Sequence, residues 1–484
     1  MGLCLPLAVM LGYLLAEPLD SASLGVLVFV LVILGVPLLM KWHHPLLILS
    51  WNACVNPFFL PGSPGLWMIM TFASLLFALL GRSVNPENRF IYVPALVKPL
   101  LFLLAVVLAT AFMTGGFGFR AMGAERYGGK GYFYIFAAVA AFFAFTSRRV
   151  PQERAGLYLA LFFLGGLTPI IGILADSVGA KLLYVQLLFS VQDMSPDPMA
   201  GPVDPVTSHI GSLVFLGHGI YCLLLARYGL RGVLDLSKPW RGGLFLLATV
   251  ACLACGFRGA IINLVLLVAF LFCFEGLHRT RFLPLCLGFL FAACLAIVPL
   301  AKHLPSSMQR TLSFLPVEID PLVKQSAISS TDWRVEIWKL VLPQVPKYLI
   351  KGKGYGMDPN DLYMSGFGNS IYGAVVSGDY HNGPLTLIIP FGIFGVIAFG
   401  WFVVAALRYL YHNYRFGDPA LRTANTFLLA AFLVLLVSYV AVFGNFYSDL
   451  PAFIGLIGLS VCLNGELAPQ TEQEVPEEAL EPAH

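Results

Sequence analysis

The sequence predicts an all-α polytopic membrane protein with about 12–14 transmembrane helices and one large outer loop domain. Three observations carry that reading. Of 484 residues, 58% are hydrophobic and only 11% charged, whereas a soluble globular chain carries about 25% charged residues. Apolar runs recur from Leu24 to Cys462, most of them close to the roughly 20 residues that cross a bilayer. Between them, Ala301 to Gly383 has the Pro, Gly, Asp and Lys content of a globular segment, too long and aromatic for a simple connector. Disordered, collagen-like and disulfide-scaffold classes are excluded, and a net charge of +3 gives no reason to expect nucleic acid. The nine cysteines lie in or beside apolar runs, where they act as small hydrophobes, so Cys252 and Cys255 read as helix packing.

In order along the chain, apolar runs lie near 3–17, 22–40, 44–60, 65–80, 95–114, 131–146, 155–175 and 208–227, then 242–256, 258–275, 283–300, 384–407, 423–443 and 446–463. The first run lacks a basic leader region and a small-residue cleavage site, so it reads as retained. These runs divide the chain into an N-terminal bundle (1–240), helices around Arg258 (241–300), the loop domain (301–383), C-terminal helices (384–463) and a tail (464–484). Six Glu with interspersed Pro make that tail an acidic, solvated cytoplasmic end. Orientation follows from basic residues in the short connections. One alternate set of connections holds sixteen of the 29 Lys and Arg and the opposite set only five, with eight in the long loop. Both termini are therefore expected in the cytoplasm and the loop on the outer side, the periplasm in a Gram-negative cell. No fixed-period repeat or inverted duplication is visible.

Arg258 is the single charge between Gly242 and Phe274. In one straight helix it would sit near mid-membrane at a cost of about 2.5–3.5 kcal/mol or more. Basic clusters flank the run on both sides, at Arg231 to Arg241 and at Arg279 and Arg281, so the chain must cross twice and turn at Arg258, which Gly256 and Gly259 permit. The plainer alternative is an interfacial Arg reaching out to water.

In the loop, Ser330 to Trp338 opens with cap-forming residues and places Trp333, Ile337 and Leu340 at helical spacing. A short amphipathic helix with Arg334 near its start is expected. A cation there opposes the helix dipole, which suggests an anion to be met; the alternative is a surface pair with Asp332 or Glu336. Lys351-Gly-Lys-Gly-Tyr-Gly356 then forms a Gly-rich turn, and Asp379-Tyr-His-Asn-Gly-Pro384 precedes an apolar helix, placing His381 at the membrane's outer edge. An imidazole titrates near neutral pH and so suits proton transfer.

The ordered set of an Arg-Gly pair within a paired apolar run, an outer loop with Trp-Arg-x-x-Ile-Trp, a Gly-x-Gly-x-Gly turn and His-Asn before a Gly-rich helix resembles the O-antigen ligase and polymerase superfamily. The resemblance covers roughly residues 240–410. It implies a multi-helix glycosyltransferase of the bacterial inner membrane that takes a glycan from a polyprenyl (undecaprenyl) diphosphate carrier at the outer leaflet and joins it to a lipid, glycan or protein hydroxyl. Carried over position by position, Arg258 and Arg334 are the family's diphosphate-binding arginines and His381 its catalytic histidine. Departures are Pro384 shortly after the His and Lys351 and Lys353 in the Gly-rich turn, which bear on the acceptor.

Negative charge grows on the leaving phosphate as the anomeric bond breaks, so fixed cations stabilise the transition state over the ground state. Arg stays charged near a membrane and holds two phosphate oxygens at once. His381 can take the acceptor proton or orient the hydroxyl. No Asp-x-Asp triplet is present, so neither metal nor other cofactor is expected, and the absence of an obvious carboxylate nucleophile suggests inversion. Lys353, Arg120, Arg126 and Asn382 are secondary candidates. The competing readings are a lipid-linked oligosaccharide flippase, a protein O-oligosaccharyltransferase and a non-enzymatic scaffold.

Overall fold

The computed structural model describes residues 9, 12, 21–60, 62–87, 89–115, 129–189, 211–356 and 371–466. Every regular element among them is helical. Eight stretches are long and apolar enough to cross a membrane, and three shorter apolar helices join them. In chain order the main helices are α1 Ser21–Ser50, α2 Leu66–Val84, α3 Pro94–Thr114, α4 Gly129–Phe145, α5 Ala155–Leu164 and, after a 3-10 turn, α6 Pro169–Val178. Then come α7 Gly211–Val233, α8 Pro239–Ala254, α9 Arg258–Phe274 and α10 Phe282–Leu300. The loop region holds α11 Ser306–Thr311, α12 Pro321–Val341 and α13 Ile371–Ser377, and α14 Gly383–Phe416, α15 Arg422–Val437 and α16 Phe446–Asn464 complete the bundle.

The expected break between the runs at 22–40 and 44–60 is absent, because α1 continues through Lys41 to Ser50. No glycine or turn residue interrupts 38–44, whereas Asn52 and Asn56-Pro57 lie just beyond and end the helix. The run at 3–17 lies outside the described residues, apart from Val9 and Gly12.

At the centre, α16 packs along α4 and α15, while α14 lies against α3 and α15. Between transmembrane helices in lipid, close van der Waals packing rather than water exclusion holds neighbours together, so small residues let backbones approach. On α16, Gly455 faces the Trp51 indole, and a Cβ at Gly458 would lie 2.9 Å from the Phe145 side chain on α4. Ala137, Ala138, Ala141 and Ala144, all fully buried, keep α4 slim where its neighbours approach. Cys252 on α8 meets Gly217 of α7 in the same way, the packing role expected of it, and the described cysteines are all free thiols. α10 is the contrast: among its described side chains none is buried in the protein.

Two breaks position the site. The chain turns between α8 and α9 as expected, with Gly256 at φ 82° and Arg258 the first residue of α9; Gly259 lies within that helix rather than in the turn. In α14, Pro390 and Gly392 (φ 62°) interrupt the helix. The Gly-rich turn fills the interruption: Lys353 N–H donates to Ile389 O at 2.8 Å, Gly354 N–H to Pro390 O at 2.9 Å, and Ile393 N–H to Leu349 O at 2.7 Å. The groups freed by the kink are thereby paired. Gly352 and Gly354 have positive φ, and side chains there would strike Pro390 O and the hydroxyls of Thr114 and Tyr132. At the other end of α16, Glu466 accepts from Tyr92 N–H at 3.1 Å, so the chain stays against the bundle to that point; 467–484 lie outside the described residues.

Candidate functional site

The helix that carries Arg334 is longer than expected. α12 begins at Pro321 behind Asp320, whose carboxylate caps it by accepting from Leu322 N–H at 2.8 Å. Arg334 therefore sits in the second half of a 21-residue helix, and the argument from an opposed dipole does not apply. Asp-Pro was the true start signal. Thr331 and Ser329 are mid-helix and bond their hydroxyls back to Ala327 O and Gln325 O. Nor does Arg334 pair with Asp332 or Glu336: two residues apart on a helix, they point to other faces, and among the described residues no such ion pair forms. Ile337 and Val341, with Ala374, Tyr380, Leu385 and Ile389, make a small core that docks α12 on α13 and the start of α14. Trp333 and Trp338 flank it, while Leu340, expected on the apolar face, is exposed.

This docking brings the separated residues together. Arg258, from the turn between α8 and α9, donates from Nη2 to Ala327 O at 3.3 Å and Thr331 Oγ1 at 3.4 Å. Three residues beyond Thr331, the Arg334 guanidinium lies 5.8 Å from the centre of the Phe443 ring. His381 packs between Trp333 (5.1 Å between ring centres) and Phe443 (4.7 Å). Its φ of 48° is unusual for a residue with a side chain, and Trp338 Nε1 pins the preceding peptide by donating to Tyr380 O at 2.9 Å. Its Nδ1 lies 3.3 Å from Asp379 Oδ1, close enough for an ion pair but off the line of a hydrogen bond. Asn445, at the break between α15 and α16, donates to that same carboxylate at 3.4 Å.

Burial pulls the His381 imidazole below its ordinary value of 6.5; Asp379 opposes this and Arg334 adds to it. The ring is mainly neutral at pH 7, free to accept a proton. Burial first, then the charge of Arg258, also draws the Arg334 guanidinium down. Arginine nonetheless remains charged in proteins at neutral pH. Tightly packed backbone supports the histidine from below: Tyr439 OH donates to Gly383 O at 2.7 Å, and a side chain at Gly383 would collide with Tyr439 O. Tyr439 belongs to a π-helical turn, Ser438–Val442, that ends α15.

The secondary candidates divide. Asn382 caps α14, its Oδ1 accepting from Leu385 N–H at 3.1 Å. Lys353 lies beside Ile389 through its backbone, and among the described residues no side-chain hydrogen bond or ion pair joins it to Arg258, Arg334 or His381. Arg120 and Arg126 lie outside the described residues. Sequence reasoning missed Arg310, Phe443 and Asn445. Arg310 donates from Nη1 to Ser326 Oγ at 3.0 Å, on the residue next to the one that receives Arg258. Burial, then Arg258, lowers its guanidinium too. Nothing in its local sequence separated it from the other cations of the loop, whereas Gly444-Asn445 between two apolar runs was a readable turn signal.

Fold and site together define a multi-pass helical membrane protein that gathers guanidinium groups and a neutral histidine at one end of its bundle. Residues 243–400 match the family model of the O-antigen ligases, a segment that includes Arg258, Arg310, Arg334 and His381. That match covers about a third of the chain; it supports a place in the O-antigen ligase and polymerase superfamily and, with it, a role in membrane glycan transfer by a glycosyltransferase-type enzyme. No curated protein matches the chain.

Proposed function

We propose that the chain transfers a glycan from a polyprenyl diphosphate carrier to an acceptor hydroxyl at the outer face of the bacterial inner membrane, as an O-antigen ligase or a polysaccharide polymerase. The observation that carries this is the convergence of Arg258 and Arg334 on one face of α12 with His381 beside them. The acceptor oxygen attacks the anomeric carbon as the bond to the phosphate oxygen breaks. The electron pair stays on the diphosphate, where Arg258 and Arg334 stabilise it, and the hydroxyl proton passes to His381. Asp379 steadies the resulting imidazolium, and a single displacement inverts the anomeric centre. With the leaving charge met by guanidinium groups, the step needs no metal.

The periplasmic placement rests on charge asymmetry. The opposite end of the bundle carries Arg231, Lys238, Arg279 and Arg281, and Arg149 there donates to Asn464 O at 3.3 Å. A flippase reading would want cations along an interior route. The cavity of about 160 Å³ inside the bundle is instead lined by apolar residues with Asn52, His218 and Asn263, and by no Lys or Arg. Transfer to protein hydroxyls shares the donor chemistry and stays open as a second acceptor class.

The test uses purified protein in proteoliposomes, supplied with carrier-linked glycan, envelope extract as acceptor and excess chelator. Turnover should survive the chelator and fall about a hundredfold in Arg258→Lys, which keeps the charge but loses the bidentate fork. Full turnover in that variant, or its abolition by chelator alone, contradicts the reading.

A further inference from the structure

We infer that Arg310 is a third diphosphate-binding residue, holding the lipid-side phosphate, distal to the sugar; this rests on the proposed function and deepens it by dividing the carrier's two phosphates among three arginines. Ser326 receives Arg310, and the adjacent Ala327 together with Thr331 receives Arg258. Arg334 follows at the next turn of the same face, so the points on α12 that carry or receive the three arginines span about 12 Å.

Arg310 is also held for the purpose. Its neighbour Gln309 is buried and uses both ends of its amide: Nε2 donates to Leu304 O at 2.7 Å and Lys302 O at 3.3 Å, and Oε1 accepts from Asp320 N–H at 2.8 Å. This ties α11 to the end of α10 and to the cap of α12 and fixes where the Arg310 side chain starts. Such support is what a binding group needs to hold its geometry. Among the described residues no carboxylate pairs with Arg310, and the Ser326 hydroxyl takes one of its five N–H donors, which leaves most of them for a ligand. Asp379 is the carboxylate that faces this group of cations, and it serves His381 and Asn445.

The count suits the chemistry. The glycan-bearing carrier is a diphosphate diester with two negative charges. Cleavage of the anomeric bond leaves a terminal phosphate that ionises again with a pKa near 6, so the product approaches three. Two guanidiniums balance the two charges of the bound donor, and a third balances the charge gained on cleavage.

The test is binding to the full chain in nanodiscs of three probes: polyprenyl diphosphate, polyprenyl monophosphate and inorganic diphosphate. Wild type should hold the lipid diphosphate at least about tenfold tighter than either other probe, the scale of one charge-assisted contact. Arg310→Gln should lose about tenfold for both lipids, since both carry the lipid-side phosphate, whereas Arg334→Gln should lose affinity for the lipid diphosphate and little for the monophosphate; Arg310→Lys should recover part of the Arg310→Gln loss. An unchanged thermal unfolding midpoint in the nanodisc serves as the folding control. No loss for either lipid, or a loss confined to the diphosphate, overturns the assignment of Arg310 while leaving the proposed function standing. Inorganic diphosphate bound as tightly as the lipid form overturns the carrier as its ligand, and a wild-type protein that binds neither lipid overturns both proposals.

Discussion

His381 combines three features that a proton acceptor needs: a neutral ring at pH 7, a fixed orientation between Trp333 and Phe443, and a carboxylate 3.3 Å away. His381→Ala should lower kcat about 10²- to 10⁴-fold with little change in carrier binding, the usual scale of general-base catalysis. Because the folded imidazole titrates below 6.5, activity should persist through that pH and fall only on further acidification, as the ring gains its proton. Asp379→Asn removes the one influence that raises this value, so the acid limb of the kcat/KM profile should move to still lower pH while kcat drops. A limb that stays put, or moves up, would mean that His381 is not the group being titrated. Asn382 offers a contrast on the neighbouring position. Asn382→Ala should cost about 1 kcal/mol of stability through the lost cap, visible in thermal unfolding, whereas Asn382→Asp keeps an acceptor there and should keep turnover; a loss of turnover in Asn382→Asp without loss of stability would assign it to catalysis. How much of this was legible depended on local context. Arg258 stood out as a lone charge in an apolar run, and His381 as an imidazole before a helix. Arg310 did not, because its meaning lies in a contact with Ser326 that only tertiary structure supplies.

The elements were readable where composition changes sharply. The break at Arg258 followed from parity and the two glycines beside it, of which the structure places Gly256 in the turn at positive φ and Gly259 in the helix. α12 was read too short because Ser330-Thr331-Asp332 imitates a helix start, while the effective cap, Asp320-Pro321, lay ten residues upstream. The joining of two runs into α1 was missed for the opposite reason: side-chain polarity changes at Lys41, His43 and His44, but the backbone has no cause to stop there. His43 Nδ1 instead pairs with Ser74 Oγ at 2.9 Å and His44 Nε2 with Phe145 O at 2.9 Å. Least readable was the docking of the Gly-rich turn into the α14 kink, a match between segments whose backbone groups carry no sequence signal. Its consequence is testable. Gly354→Ala introduces a side chain at positive φ against Thr114 and Tyr132, and should loosen the loop domain. Limited proteolysis should then cut near 351–356 at lower protease concentration than in wild type; an unchanged pattern would show that the turn tolerates a Cβ and that the docking is looser than drawn.

At the scale of the molecule, the bundle supplies a rigid frame through α4, α14, α15 and α16, and the loop helices bring cations to one end of it. In the proposed topology that end faces the outside. Accordingly a cysteine at Lys324, on α12, should react with a membrane-impermeant thiol reagent in cells with a permeabilised outer membrane, and one at Lys238 should not until the inner membrane is opened. The reverse pattern would invert the topology and remove the outer-leaflet site. The central claim, that this end of the protein breaks the bond between glycan and carrier, is tested most directly in the parent organism. Carrier-linked and surface glycan would be measured by mass spectrometry and gel in wild type, a deletion, and the deletion complemented with His381→Ala at matched protein level. The account predicts that His381→Ala reproduces the deletion, with glycan left on its diphosphate carrier at the outer leaflet as single repeat units or as unligated long chains. A deletion phenotype fully rescued by His381→Ala would contradict it.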